Sequence, residues 1–531
     1  MSDSPDSSQP RASRDGLRRR RPARPEDAGT SAPIKPARKR RLPQLIKVAP
    51  EDLERHSPTA LERLQKDART GVPGLIGSAA VHALVLLVLA LIVVKFEFSD
   101  DAGLELGWVS ETTLPERTAG MAPVKIQPIT PIKPLTPTTT TQADPNSKQA
   151  ASQSRPVRPV NVENALHGRS ERNRVGKLQA SGTQNPIERA IKSGLEWLKR
   201  QQSPSGNWQL HQGYPDAGEI SLRTDTGATA LALLAYLGDG HTHRTGDYQT
   251  TVDAGLRWLK GVQKSDGDFH DHTELGRQTA FYAHSMATIA ICEAYALTQD
   301  ASLRKSAEEG IAFLLATQQP EQGGWRYRPQ DRETMADLSV TGWALMALHS
   351  ARMANIDVPP EAFGTASLFL DAVQTRDGDR YRYLPSDPID KVTPAMTASG
   401  LVGRQWLGWE KNDPVMKSGV EWLTRSEFTP DWSAGRRNVY EWYYVAQVLH
   451  NIGGDDWTEY YNHVQSLLVE GQLRRGSRTA PDDVLGSWHP TRPDGHPLEY
   501  ATQGGRLYLT VMCLLVLETP YRHAPVYAPG G

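Results

Sequence analysis

Gly323–Leu348, GGWRYRPQDRETMADLSVTGWALMAL, falls into three parts. They are a Gly-Gly-Trp turn, a polar loop, and a helix opening at Asp337 with apolar residues packed closely behind it. The plan recurs along the chain. An aromatic closes each turn at Trp208, Phe269, Trp325, Tyr381, Trp432 and Trp488, with spacings of 61, 56, 56, 51 and 56 residues. A period near 56 marks a repeat architecture, and such a unit holds two helices of about 14 residues plus turns. Six helical hairpins, twelve helices in all, are expected.

The first helix of each unit alternates apolar and charged positions, as in AIKSGLEWLKRQQ (190–202), VDAGLRWLKGVQ (252–263) and AEEGIAFLLATQQ (307–319). Apolar residues at i, i+3/i+4 and i+7 describe an outer helix half-facing solvent. Gly194, Gly255, Gly310 and Gly419 recur at one position; a glycine costs helix stability, so its repetition implies close helix–helix approach. The second helices, such as ATALALLAYL (228–237) and MATIAICEAYAL (286–297), are apolar nearly all round and therefore buried. Six amphipathic helices around six buried ones make an all-α, α6/α6 toroid over 185–522, followed by a short tail, 523–531.

The N-terminal third has a different character. Residues 1–73 carry 17 Lys/Arg against 10 Asp/Glu, whereas the remainder has 43 against 51. The whole-chain charge of −1 hides this asymmetry. The basic runs Arg18–Arg21 and Arg38–Arg41 sit among Pro, Ser and Asp without aromatic interleaving. They read as a solvated, mostly disordered cytoplasmic tail beside anionic lipid, not as a nucleic-acid site. Gly74–Val94 has 21 residues with no formal charge, long enough to cross about 30 Å of hydrocarbon. Arg55, Arg63, Lys66 and Arg69 precede it, and Glu97, Asp100, Asp101, Glu105 and Glu111 follow. The expectation is an uncleaved single-pass anchor over 74–95 in a bacterial-type inner membrane, N-terminus cytoplasmic, toroid extracytoplasmic or periplasmic. Residues 96–184, with the run IQPITPIKPLTPTTTT at 126–141, are expected to be a Pro/Thr-rich spacer. Cys292 and Cys513, the only cysteines, lie in apolar helical runs and read as core.

Three turns fit Q-x-x-x-G-x-W/F: Gln202–Trp208, Gln263–Phe269 and Gln319–Trp325. Gln374–Tyr381 fits with one inserted residue, and Trp432 and Trp488 keep only the end of the motif. This resembles the QW repeat of squalene–hopene cyclases and the related toroid of protein prenyltransferase β-subunits. The resemblance implies an α/α toroid in which these motifs are scaffold. The glutamine amides are expected to bond orphan carbonyls at the outer-helix ends, with the aromatics covering them. The parent chemistries are not inherited intact. Cyclases of this kind protonate substrate with the middle Asp of D-x-D-D-T-A; the closest match, Asp225-Thr-Gly-Ala-Thr229-Ala230, has Gly227 there, and no D-x-D-D occurs. Prenyltransferases bind zinc through Asp-x-Cys and a later His; in Asp337-Leu-Ser339 a serine replaces the thiolate. A zinc site of Asp225, His284 and Asp337 is compatible by ligand type, but the expectation is no metal and no cofactor.

Aligning the inner helices on Thr229, Thr288, Thr341, Thr397 and Thr510, with Ala446 in the fifth, exposes a position four residues earlier. It is held by Asp225, His284, Asp337, Thr393, Trp442 and Arg506. Residues four apart share a helix face, so these six are expected to ring one mouth of the barrel. Asp225, His284, Asp337 and Arg506 are then catalytic candidates for proton transfer or anion binding; equally, Asp225, Asp337 and Thr393 stand where N-caps belong. Trp343, Tyr440, Trp442 and Tyr444 are candidate substrate-binding aromatics, Trp442 being expected to point inward. Three functions follow: a toroid binding a hydrophobic or isoprenoid ligand or a protein partner without catalysis; an enzyme on polyprenyl or triterpenoid lipids; or a glycan hydrolase or lyase using Asp225 and Asp337.

Overall fold

A computed structural model describes residues 157–158, 160, 162, 164–170, 173, 176, 184–210, 222–271, 274–276, 279–329, 331, 334–432, 437–475, 482–490 and 501–527. The tail 1–73, the expected anchor Gly74–Val94 and the proline-rich run lie outside them. Among the described residues no helix is long and apolar enough to cross a membrane.

Twelve α-helices are described, and no strand beyond isolated bridges. The outer helices are α1 (Gln184–Arg200), α3 (Gln249–Val262), α5 (Ala301–Thr317), α7 (Pro360–Val373), α9 (Pro414–Leu423) and α11 (Asp455–Gly471). The inner helices are α2 (Asp225–Gly238), α4 (Thr279–Thr298), α6 (Leu338–Met353), α8 (Pro394–Trp406), α10 (Val439–Ile452) and α12 (Ala501–Arg522). Each inner helix packs on the next, and α12 packs back on α2, so the inner ring closes. Each outer helix lies against the inner ring, and α1 contacts both α11 and α12 across the seam.

The sequence explains both layers. All residues of α2 after Asp225 are buried, and so is nearly all of α4, because an apolar helix in the inner ring meets protein on every side. The recurrent outer-helix glycines make room for this packing. A Cβ at Gly310 would lie 2.9 Å from Thr288 Oγ1 and 3.0 Å from the Phe269 ring, so α5 approaches α4 and its turn aromatic as closely as the backbone allows.

The folded body exceeds the expected 185–522. The described residues between 157 and 170 dock on it as a strap: Arg158 N–H donates to Leu407 O, Ala524 N–H donates to Ala165 O, and Arg169 is buried. The spacer expectation fails over this stretch because Arg169 finds buried carboxylate and carbonyl partners that composition cannot reveal.

Candidate functional site

Three kinds of hydrogen bond recur in the hairpin turns. The indole N–H groups of Trp208, Trp325 and Trp488 donate to Leu198 O, Leu314 O and Leu468 O, carbonyls of the last helical turns of α1, α5 and α11. The backbone N–H of the turn aromatic donates to the recurrent threonine of the inner helix: Trp208 to Thr229, Trp325 to Thr341, Tyr381 to Thr397 and Trp488 to Thr510. The glutamine joins neighbouring hairpins. Gln202 Nε2 donates to Gly206 O and to Thr251 O of the next outer helix, and Gln263 does the same to Gly267 O and Ser306 O. In the third turn the bridge is made by Gln318, to Gly323 O and Ala362 O, while Gln319 reaches Asp331 O and Thr334 O in the loop. The roles expected of glutamine and aromatic are thus exchanged: the indole satisfies the orphan carbonyl.

The six positions set four residues before the threonine make the following contacts. His284 Nδ1 faces the Phe269 N–H at 3.2 Å and Asp268 Oδ1 at 3.3 Å, and its Nε2 lies 3.1 Å from Gly310 O. Asp225 Oδ2 accepts from Asn207 and Gln209. Asp337, fully buried, caps α6 through Val340 N–H, accepts from Ser339 Oγ and pairs with Arg326 at 2.8 Å. Burial works against Arg326's charge, but Asp337 outweighs it and raises its pKa. Thr393 caps α8, and Arg506, just after a break at Gly505, donates to Ser487 Oγ and Trp488 O. Trp442 packs on the turn aromatic Trp432, ring centroids 6.2 Å apart. The physical reason is simple. The threonine faces the turn, so a residue one helical turn earlier faces it too. Among the described residues no three His, Cys, Asp or Glu side chains gather as a metal-ligand set.

Other aromatic side chains pack between inner helices. Trp343 of α6 stacks on Tyr443 of α10 at 6.0 Å and 18°, and Tyr443 Oη contacts Met346 Sδ at 3.3 Å. Helices α6 and α10 are not ring neighbours, since α8 lies between them, so this pair spans the interior. Tyr440 and Tyr444 are buried beside it, their rings 5.1 Å apart. At the end where the inner helices begin, Tyr282 Oη lies 2.6 Å from Ser339 Oγ, and Tyr327 Oη lies 2.6 Å from Tyr383 Oη, which also accepts from Arg326.

Two clusters escaped the sequence reading. At the opposite end, Glu293 of α4 accepts from Arg169 of the strap at 2.8 Å and from Arg522 of α12 at 3.1 Å; Arg522 also pairs with Glu518 at 3.1 Å. Burial opposes the charge of Glu293, but Arg169 and Arg522 outweigh it and hold its pKa well down; burial pushes Glu518 well up. The second cluster is Glu274, in the loop before α4. Its Oε1 accepts Thr226 N–H at 2.8 Å in the first turn of α2, while Oε2, buried, has no hydrogen-bond partner and lies 3.7 Å from His270 Nε2. Burial raises its pKa to about 7, a value suited to proton transfer near neutrality. The available signal was a lone acid in an otherwise apolar inner helix for Glu293, and an acid one turn before Arg522 for Glu518.

No protein-family model matches the chain. It is similar to a squalene–hopene cyclase of Bradyrhizobium diazoefficiens, 24% identical over 270 residues, covering 45% of this chain and 39% of that one. A probable squalene–hopene cyclase of Sinorhizobium fredii is 25% identical over 282 residues, covering 47% and 42%. The chain spans about two fifths of the length of these curated relatives. Among solved structures, the GH76A α-1,6-mannanase of Salegentibacter gives a TM-score of 0.44 at 13% identity, covering 63% of this chain and 98% of that one. The type II terpene cyclase MstE of Scytonema gives 0.41 at 15% identity, covering 63% and 98%. The closed ring of hairpins and the cyclase relatives define a terpenoid-cyclase-like α/α toroid.

Proposed function

We propose that this is a binding toroid without cyclase activity, displayed on the outer side of a membrane by the segment Gly74–Val94. The ligand is hydrophobic, of isoprenoid type, or a protein partner; no nucleic acid is involved. The observation that carries this reading is the engagement of Asp337. A cyclase-type acid must be protonated and aimed at an alkene in an apolar cavity. Here the side chain is buried against Arg326, Val340 N–H and Ser339 Oγ, so both of its oxygens are already engaged within the protein. Gly227 stands where the donor of the Asp225 motif would be, and the Trp343–Tyr443 stack fills part of the interior between α6 and α10.

The second reading, an enzyme on polyprenyl or triterpenoid lipids, draws on the two cyclase relatives and the aromatic interior. Glycan cleavage is less well supported, because Asp225 and Asp337 are each engaged by their own hairpins. The test is to purify the full chain from a membrane-bearing host, weigh it by native mass spectrometry, and incubate it with squalene. The binding reading expects a retained ligand or partner and unchanged squalene. A cyclised product that Asp337→Asn abolishes would transfer the protein to the enzyme reading.

A further inference from the structure

Beneath the strap lies a cavity of about 30 Å³, walled by Val162 and Ala165 on one side and by α6, α10 and α12 on the others. That volume is on the scale of one or two waters or of one monatomic ion. Its polar wall includes His349, Gln447, His450, Asn451, Arg522 and His523, and no carboxylate lines it. Two buried atoms on this wall lack partners: Arg522 Nε and His349 Nδ1. Arg522 spends its other nitrogens on Leu234 O, Glu518 and Glu293, which leaves Nε–H as a spare donor. His349 is held flat against Trp406, ring centroids 5.1 Å apart and 16° from parallel. Burial lowers its pKa to about 3, so the imidazole is neutral and can carry its proton on Nδ1.

We propose that this cavity binds one small monovalent anion of halide size, held by Arg522 Nε–H and His349 Nδ1–H. A buried guanidinium N–H left without an acceptor bears the full cost of its desolvation. A water can accept from both donors, but only an anion also gains from an arginine on a wall that carries no acid. Glu293 and Glu518 stand behind Arg522, each already paired with it. Val162 and Ala165 of the strap and Ala524 and Val526 beyond α12 also line the cavity, so strap docking forms part of the anion's site.

The test uses the purified full chain. Its melting temperature is compared in sodium bromide and sodium gluconate at matched ionic strength, and crystals are soaked in bromide. The proposal expects bromide to raise Tm saturably, by about 2 °C or more once it exceeds Kd severalfold. It also expects an anomalous peak in the cavity within hydrogen-bond distance of Arg522 Nε. His349→Phe, which fills the space and leaves the ion pairs untouched, removes the halide-dependent part of Tm. Solvent density without anomalous signal assigns the cavity to water and overturns the proposal, as does a bromide peak found only elsewhere. Where melting and diffraction disagree, the peak in the unsubstituted protein decides.

Discussion

Burial holds the Glu274 carboxyl up at about 7 against an ordinary 4.5, and the neighbouring charge of Asp225 adds to the effect. Below about pH 4.5 the group is protonated folded or unfolded, and its favourable contribution is fully present. As pH rises through about 7, the folded protein must ionise a carboxyl it disfavours, and that contribution is lost. The shift corresponds to about 3 kcal/mol. Glu274→Gln should therefore flatten the fall in stability between pH 4.5 and 7.5, measured by urea unfolding across that range; an unchanged slope would exclude Glu274 as its source. His284 makes a different kind of contribution. It takes the place that a threonine holds in four other hairpins, facing the N–H of the turn aromatic. His284→Ala leaves that N–H buried without a partner and opens a cavity, so a loss of about 2–4 kcal/mol in denaturant melts is expected.

Helix packing makes predictions of opposite sign for the same substitution. Gly310→Ala in α5 drives a methyl into Thr288 and Phe269 and should cost about 1–3 kcal/mol. Gly364→Ala in α7 meets nothing within 4 Å and should stabilise by about 0.5–1 kcal/mol, both read from thermal melts. The same scale shows what the sequence could and could not convey. Amphipathic outer helices, apolar inner ones and a glycine at each close approach were all legible, because burial on one face or on every face leaves a periodic trace. The azimuth of an inner helix leaves none. A helix apolar all round has no polar stripe to point with, so the face carrying Thr341 and Asp337 could be assigned to the axis when it faces the turn. Arg169 lay in a stretch whose composition signals a spacer, and only its buried partners in α4 and α12 reveal that it belongs to the barrel.

At the scale of the whole molecule, stability depends on closing the ring. Gln472 Nε2 donates to Gly486 O and to Ala190 O of α1, repeating between the last hairpin and the first the bridge that Gln202 and Gln263 make between consecutive ones. Gln472→Ala should cost about 2–3 kcal/mol, since two buried carbonyls lose a donor; comparable loss from Gln202→Ala would show that no junction is privileged. Arg169→Ala leaves Glu293 buried with one guanidinium fewer and should cost about 3–5 kcal/mol. It should also expose the strap to limited proteolysis. One consequence reaches beyond stability. Ala524 N–H donates to Ala165 O, so the segment that precedes the first hairpin and the segment that follows the last are hydrogen-bonded neighbours. Joining them with a short linker and cutting between any two hairpins should yield a circular permutant of unchanged fold. In geometric terms, the order of the six units is a cycle whose starting place is arbitrary.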